Sequence, residues 1–266
     1  MSQLRRYGTF DRLRIPVDDS GLRLAGKPIS DYGISLILGG VEIDVGDPVS
    51  DFATVPGMSG SVNRSLRDAS GHTFTDRRTI TMHVATTGSE MDAWETKVTL
   101  GSLDGMDMTL EWGVMPGWYE GYLTVGAWTD EYGHGGIYRY STCDLTLLAQ
   151  PDLIGRVPLG FEFGVTPVSA HVKGNRPSRP TIRAVPPADT KRLYLTIGGT
   201  ALIYDLTNAD GARELVADCE NRSSTFGGTV IFPTVDSDYS ALVPGVITAS
   251  TSAGTASLTY RPRYRI

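Results

Sequence analysis

The chain has 266 residues, enough for one large domain or two ordinary ones, and its 40% hydrophobic and 20% charged content suits a globular protein that packs cores without covalent staples. Its formal net charge of −6 argues against a dedicated nucleic-acid binder, whose phosphate contacts need a basic surface, but leaves room for a wall that repels DNA. The opening MSQLRRYGTFDRLRIPV has charges and no apolar core, so it reads as no secretory signal; apolar runs such as Ile34 to Leu38 are of strand length, so no membrane span is expected.

With 31 glycines, 15 prolines and many Thr, Val, Ile and Tyr, the composition predicts short strands joined by turns. The segment from Asp44 to Ser70 stands out first. It is rich in Gly, Pro, Asp and Ser and reads as a projecting arm or functional loop, with Ser61 to Leu66 as a short strand inside it. Thr79 to Val84 alternates polar and apolar residues, as a half-buried strand should. A helix is predicted over Ser89 to Leu100. Ser89 and Asp92 make an S-x-x-D capping pattern, Met91, Trp94 and Val98 share one face, and Gly101 is suited to a left-handed stop.

Alternation returns in Met106 to Trp112, Tyr119 to Ala127 and Tyr138 to Leu148, with Asp130 to Gly136 as a hairpin turn or loop. Further strands are expected at 159–165, 169–172, 181–185, 192–197, 201–205, 213–218, 228–232, 245–250 and 256–260. Punctuation at Gln150 to Gly155, preferred to that at Gly174 to Pro180, divides the chain. The expectation is mainly β: residues 1–150 form a β domain with one α-helix and the arm, and residues 151–266 form an all-β sandwich.

The search for chemistry yields little. Cys143 and Cys219 lie far apart outside any CxxC pattern and read as buried free thiols. His72, His83, His134 and His171 have no ligand spacing, and GxSxG, Walker and GxGxxG motifs are absent. Asp18-Asp19, Asp130-Glu131 and Asp236 with Asp238 fall in turn-like sequence, which explains them better than an acid pair or a calcium loop. Trp112, Trp118, Tyr119, Tyr122 and Trp128 read as core aromatics rather than a sugar platform. The NRS triplets at Asn63 and Asn221 carry little meaning without a secretory signal. Arg5, Arg6, Arg12 and Arg14 near the start, with Arg261, Arg263 and Arg265 near the end, suit either a solvated face or contacts between subunits. No catalytic, cofactor-binding or metal residue is assigned, and the chain reads as no enzyme.

Ordered motifs along the chain resemble those of the siphophage distal tail protein family. Ser30-Asp31-Tyr32-Gly33-Ile34 comes first, and Val55 to Ser61 is similar to a PGRxGS segment, with Met58 where arginine is common. Phe74 to Ile80 resembles a (Y/F)xxRxI entry into a strand, and a helix containing Trp94 follows. Cys143-Asp144 resembles a CD-P(Y/F) motif with Leu145 in place of proline. Later matches are Gly174 to Ile182 with GNxxxxPxI, Val216 to Glu220 with xxDCE, Leu242 to Gly245 with LxPG, and the arginine-aromatic ending Tyr260 to Tyr264.

The resemblance implies an N-terminal domain that forms a hexameric ring continuing the tail tube, a hairpin arm reaching a neighbour, and a C-terminal galectin-like sandwich outside the ring. It implies a place at the virion tail tip. The partners would be the tail tube protein, a tail-associated tip or fibre protein and a receptor-binding protein, with DNA only as cargo through the lumen. The alternative is a carbohydrate-binding module that recognises a host glycan; a wall-degrading hydrolase and the tail tube protein itself are weaker rivals.

Overall fold

The arrangement that follows is that of a computed structural model, which describes residues 21–113, 115–207 and 213–266. Asp18, Asp19 and the arginines at 5, 6, 12 and 14 lie outside the described residues. The chain divides into two compact units. Among the described residues, one comprises 21–49, 75–153 (without 114) and 266, and the other 50–74 and 154–265 (without 208–212).

The first unit opens with β1 (Leu22–Leu24), β2 (Lys27–Pro28), a 3-10 turn at Ile29–Tyr32 and β3 (Ile34–Ile43). The chain then leaves for the arm, β4 (Phe52–Thr54) and β5 (Ser61–Asn63), which groups with the second unit. It returns through β6 (Arg78–Thr86), α1 (Glu90–Gly101), β7 (Asp107–Trp112), β8 (Gly117–Val125), β9 (Thr129–Tyr132) and β10 (Tyr138–Ala149). Antiparallel pairing sets the strands in the order β2-β1-β7-β8-β10-β6-β3, with β9 on β10.

Alternation decides the faces of this sheet. Ile80, Met82 and Val84 of β6, Leu110 of β7, Tyr119 and Leu123 of β8, and Leu145 and Leu147 of β10 are all buried. The intervening residues form the opposite face. Gly33 in the SDYGI motif has a physical reason to be glycine: its φ of 71° is left-handed. A side-chain carbon there would also collide with the Thr96 hydroxyl of α1.

The capping prediction is met. Ser89 caps α1, and its hydroxyl and backbone N–H exchange hydrogen bonds with Asp92. One other expectation is corrected, and the shared face of Met91, Trp94 and Val98 is the exposed one. Gly101 lies inside the helix and Ser102, in right-handed conformation, closes it. The buried residues are Ala93, Thr96 and Leu100, while Met91, Trp94 and Val98 are 67, 64 and 59% exposed. The residues in contact are small, so the helix lies close, and the apolar stripe faces away. The stretch 130–136, expected as a hairpin turn or loop, is the end of a hairpin whose strand β9 runs on to Tyr132. β9 pairs with β10, and only Gly133 to Gly136 makes the turn.

The second unit contains β11 (Leu153–Gly155, whose first residue belongs to the other unit), β12 (Leu159–Phe163), β13 (Val168–Val172), β14 (Thr181–Val185), β15 (Arg192–Ile197) and β16 (Thr200–Asp205). It continues with β17 (Leu215–Asp218), β18 (Ser223–Phe226), β19 (Thr229–Val230), β20 (Gly245–Thr251), β21 (Thr255–Tyr260) and β22 (Arg263–Tyr264). One sheet runs β12-β21-β14-β17-β18-β19 and the other β13-β20-β15-β16. Ile182, Leu215 and Leu258 of the first sheet share one core with Leu195, Tyr204 and Ala249 of the second, so the two form a sandwich.

Candidate interaction surfaces

Three surfaces of the described residues can meet a partner. The first is the face of the first unit's sheet turned away from its core. Across it, Glu42 of β3 pairs with Thr81 of β6, Thr81 with Thr146 of β10, and Thr146 with Thr124 of β8. Beside this hydroxyl row, Asp144 opposes His83, and His83 Nδ1 lies 2.7 Å from Asp144 Oδ1. Asp107, Glu111 and Glu120 add acids on β7 and β8, and Arg23 pairs in register with Glu111. The face is thus polar, rich in threonine and predominantly acidic. An open hollow of about 530 Å³ at its margin includes Asp107, Glu120 and Arg77 in its lining.

The second surface is the arm. β4 and β5 form a two-stranded hairpin in the register Phe52 to Asn63, Ala53 to Val62 and Thr54 to Ser61. Its turn uses left-handed Gly57 and Gly60 and a bond donated by Met58 N–H to Val55 O at 3.1 Å. Its base is held by hydrogen bonds, with Arg64 N–H donating to Asp51 O and Asp51 N–H to the Ser65 hydroxyl. Phe52, Met58 and Leu66 are all more than half exposed, and none of the arm's side chains joins a core.

The third surface is the outer face of α1. Met91 and Trp94 line an open cleft of about 690 Å³ with Glu90, Lys97, Asp130 and Tyr138. Its wall is braced by polar bonds. Lys97 donates to Asp130, Ser141 Oγ donates to the same carboxylate oxygen, and the hydroxyls of Tyr138 and Ser141 lie 2.9 Å apart. The bonds from Lys97 and Ser141 hold the Asp130 carboxyl below its ordinary pKa. The Tyr132 hydroxyl donates to Glu90 at 3.0 Å, a bond that pushes the phenol's pKa up.

The structure places the remaining sequence candidates as follows. Cys143 and Cys219 are buried and unpaired with each other, and burial pushes their thiols to about 11 and about 12. His72 is clamped by the Asp68 turn, and His134 and His171 are exposed. Of the five aromatics, Tyr119 alone is fully buried. Trp118 and Tyr122 point to the opposite face of β8, so the expected single core group is corrected by strand alternation. Arg261 donates to the carbonyls of Gly155 and Arg156, and Arg263 pairs with Glu220 at 2.9 Å, so these two arginines bond within their own unit. Among the described residues no three His, Cys, Asp or Glu side chains cluster in a way that could hold a metal, and no helix is long and apolar enough to cross a membrane.

Comparison with known proteins now bears on identity. Residues 173–264 match the family model described as siphovirus-type tail component, C-terminal domain. The solved structure of the SPP1 Dit protein, described as a paradigm of the hub adsorption apparatus in phages infecting Gram-positive bacteria, shares the fold with a TM-score of 0.63. The match covers 91% of this chain and 98% of that one at 14% identity. The family match covers residues 173–264 alone, and over the whole chain the likeness to that solved structure is one of fold. A structure of the phage P2 baseplate in its activated conformation with calcium matches at 10% identity over 85% of this chain and 91% of that one, with a TM-score of 0.37. No curated protein sequence matches.

The motifs read in the C-terminal half, scattered through the sequence, meet at one place in the sandwich. Gly174 has a φ of 113°, and a side-chain carbon on it would stand 2.7 Å from Arg263 O. Asn175 next to it clasps the Arg265 backbone, its amide donating to Arg265 O at 2.8 Å and accepting from Arg265 N–H at 2.7 Å. Ser178 and Leu242 exchange two backbone bonds, which joins GNxxxxPxI to LxPG. The Asp218 carboxylate collects the N–H groups of Glu220 and Asn221, and Glu220 holds Arg263. The motif residues of this half are therefore structural clasps. Arg78, within the Phe74 to Ile80 motif and at the entry to β6, is 1% exposed and donates to the Tyr119 hydroxyl at 2.9 Å, a burial that the motif alone does not signal.

Proposed function

We propose that this chain is a structural component of a siphophage tail tip. In this reading the first unit closes with five others into a hexameric ring, and the galectin-like second unit decorates the outside. The ring joins the tail tube protein to a tail-associated tip or fibre protein, carries a receptor-binding protein, and lets DNA through its lumen without catalysing a reaction.

The observation that carries the reading is the threonine and carboxylate face of the first unit. A wall of hydroxyls and acids repels phosphate and offers few cations on which DNA could stick. Facing the lumen, the row of Glu42, Thr81, Thr146 and Thr124 would serve passage without affinity. The arm supports the ring as well, since a lone two-stranded hairpin is marginal in water and gains stability from a neighbour. The glycan-binding alternative draws no comparable support. Its five aromatics belong to the first unit rather than the sandwich and divide between two faces.

Gold-labelled antibody against the chain, applied to phage particles, tests the location. Label confined to the end of the tail is expected. Label along the whole tail would make the chain the tube protein, and label absent from tails would defeat the reading.

A further inference from the structure

We propose that Arg12 and Arg14 seat on a row formed by Glu111, Trp118 and Glu120 of the same chain. The two arginines belong to the first twenty residues, which lie outside the described ones, and the row lies on the polar face of the first unit. The seat does not need the ring, since both halves belong to one chain.

The row is built to hold a guanidinium. Register sets Glu111 of β7 directly beside Trp118 of β8, and alternation puts Glu120 on the same face two residues along. The Trp118 indole N–H donates to Glu120 Oε1 at 3.0 Å, which ties the ring to one carboxylate in the row that holds the other. An indole flanked by carboxylates offers a cation a π face and charge-assisted hydrogen bonds together. β7 and β8 hold Asp107, Glu111 and Glu120 and no cation. Of the two cations that border them, Arg23 donates to Gly26 O at 3.0 Å and Arg77 lines the neighbouring hollow.

The point where the described residues start decides the occupant. Gly21 O accepts from Gly113 N–H, and Arg23 stands in register with Glu111, so β1 lies two strands from Trp118. At the spacing of neighbouring strands that is about 10 Å. Arg14 is seven residues from Gly21, a reach of up to about 24 Å, and Arg12 has two residues more. A segment tethered this close meets the row at high effective concentration. Its chemistry fits as well. Residues 4–15 carry four arginines and one acid, Asp11, while Asp18 and Asp19 stand in the link to Gly21. Leu13 and Ile15 alternate with the two arginines. On the same face as Trp118, Tyr122 and Leu148 pair in register and are 43 and 39% exposed. In the ring reading above, the pairing also keeps these two cations from the phosphates of passing DNA.

The test uses the full chain. Trypsin cleavage after Arg12 and Arg14 is timed by mass spectrometry in wild type, Glu120→Lys and Trp118→Leu, with a synthetic peptide of residues 1–20 as the unprotected reference. Wild type should be cut at least about ten-fold more slowly than the peptide, and both variants within about three-fold of it, because protection follows the population of the seated form. An unchanged thermal melt, and unchanged cleavage at arginines among the described residues, separate loss of the seat from loss of the fold. In parallel, Arg14→Lys is treated with a carbodiimide, which joins an amine to a carboxylate it touches. The product expected is an amide between Lys at 14 and Glu111 or Glu120. An equal mixture of isotopically light and heavy chains should give only all-light and all-heavy cross-linked peptides.

Wild type cut at the peptide's rate, or protection that both variants retain, would overturn the proposal. So would cross-links from position 14 to Glu90 or Glu95 of α1 instead of the row. Isotopically mixed cross-links would put the segment on a neighbouring copy and overturn the seat within one chain.

Discussion

Arg78 is the residue whose environment is most constrained. A guanidinium that is 1% exposed gives up water and must be repaid by hydrogen bonds. It reaches the Tyr119 hydroxyl at 2.9 Å and the carbonyls of Val45 and Ile266 at 3.4 Å, with its carbon 5.5 Å from the centre of the Tyr119 ring. Tyr119→Phe keeps the ring and removes one acceptor. Chemical denaturation should show a loss of about 1–3 kcal/mol, the cost of stranding a buried donor. An unchanged midpoint would mean that water replaces the hydroxyl.

Asp130 gives a dependence on pH. Its carboxyl is held below the ordinary value in the folded chain by hydrogen bonds from Lys97 and Ser141, so the stabilisation is complete above the unfolded pKa of about 4 and fades as pH falls through the lower folded value. The group is largely solvated, which limits the effect to about 1 kcal/mol or less. Denaturation of wild type and Asp130→Asn should therefore differ by a constant amount above about pH 5 and converge below about pH 4. A gap that widens in acid would contradict the assignment.

The elements show what the linear pattern carries and what it leaves open. Strands such as Thr181–Val185 and Arg192–Ile197 were legible to the residue, because one-sided burial imposes a period of two that the side chains display. The α1 cap was legible for a similar reason: the exchange between Ser89 and Asp92 is local. Ser89→Ala should lower stability by about 1 kcal/mol, read as a shift in the thermal midpoint of the first unit's helix signal; no shift would mean that packing alone sets the helix start.

Which face of α1 is covered was not legible. Spacing groups Met91, Trp94 and Val98, but whether a neighbouring strand or a partner covers them is settled by distant parts of the chain. The apolar stripe was the strongest local signal, yet small Ala93 and Thr96 make the contact. The interaction surfaces were legible only in fragments. The polar halves of β6, β8 and β10 stand in the sequence, but their union into one hydroxyl row depends on register between residues as distant as Glu42 and Thr146.

At the scale of the whole molecule, the two units hold different evidence. The sandwich contains the family's C-terminal match, where the motif residues serve as clasps between segments remote in sequence. The first unit contains the polar face and the cleft, which bear on what the assembly does. The departures at Met58 and Leu145 are both accommodated. Met58 sits in the exposed arm turn, and Leu145 is buried in β10 opposite Met82, where proline would lack the N–H that a central strand uses. The measurement that tests the central claim most directly is light scattering of the purified chain across concentrations, with negative-stain images of the same sample. The account predicts a species of six times 28.7 kDa, about 172 kDa, seen as rings with open centres. Closed particles without a central opening, or a chain that stays monomeric at every concentration, would contradict it.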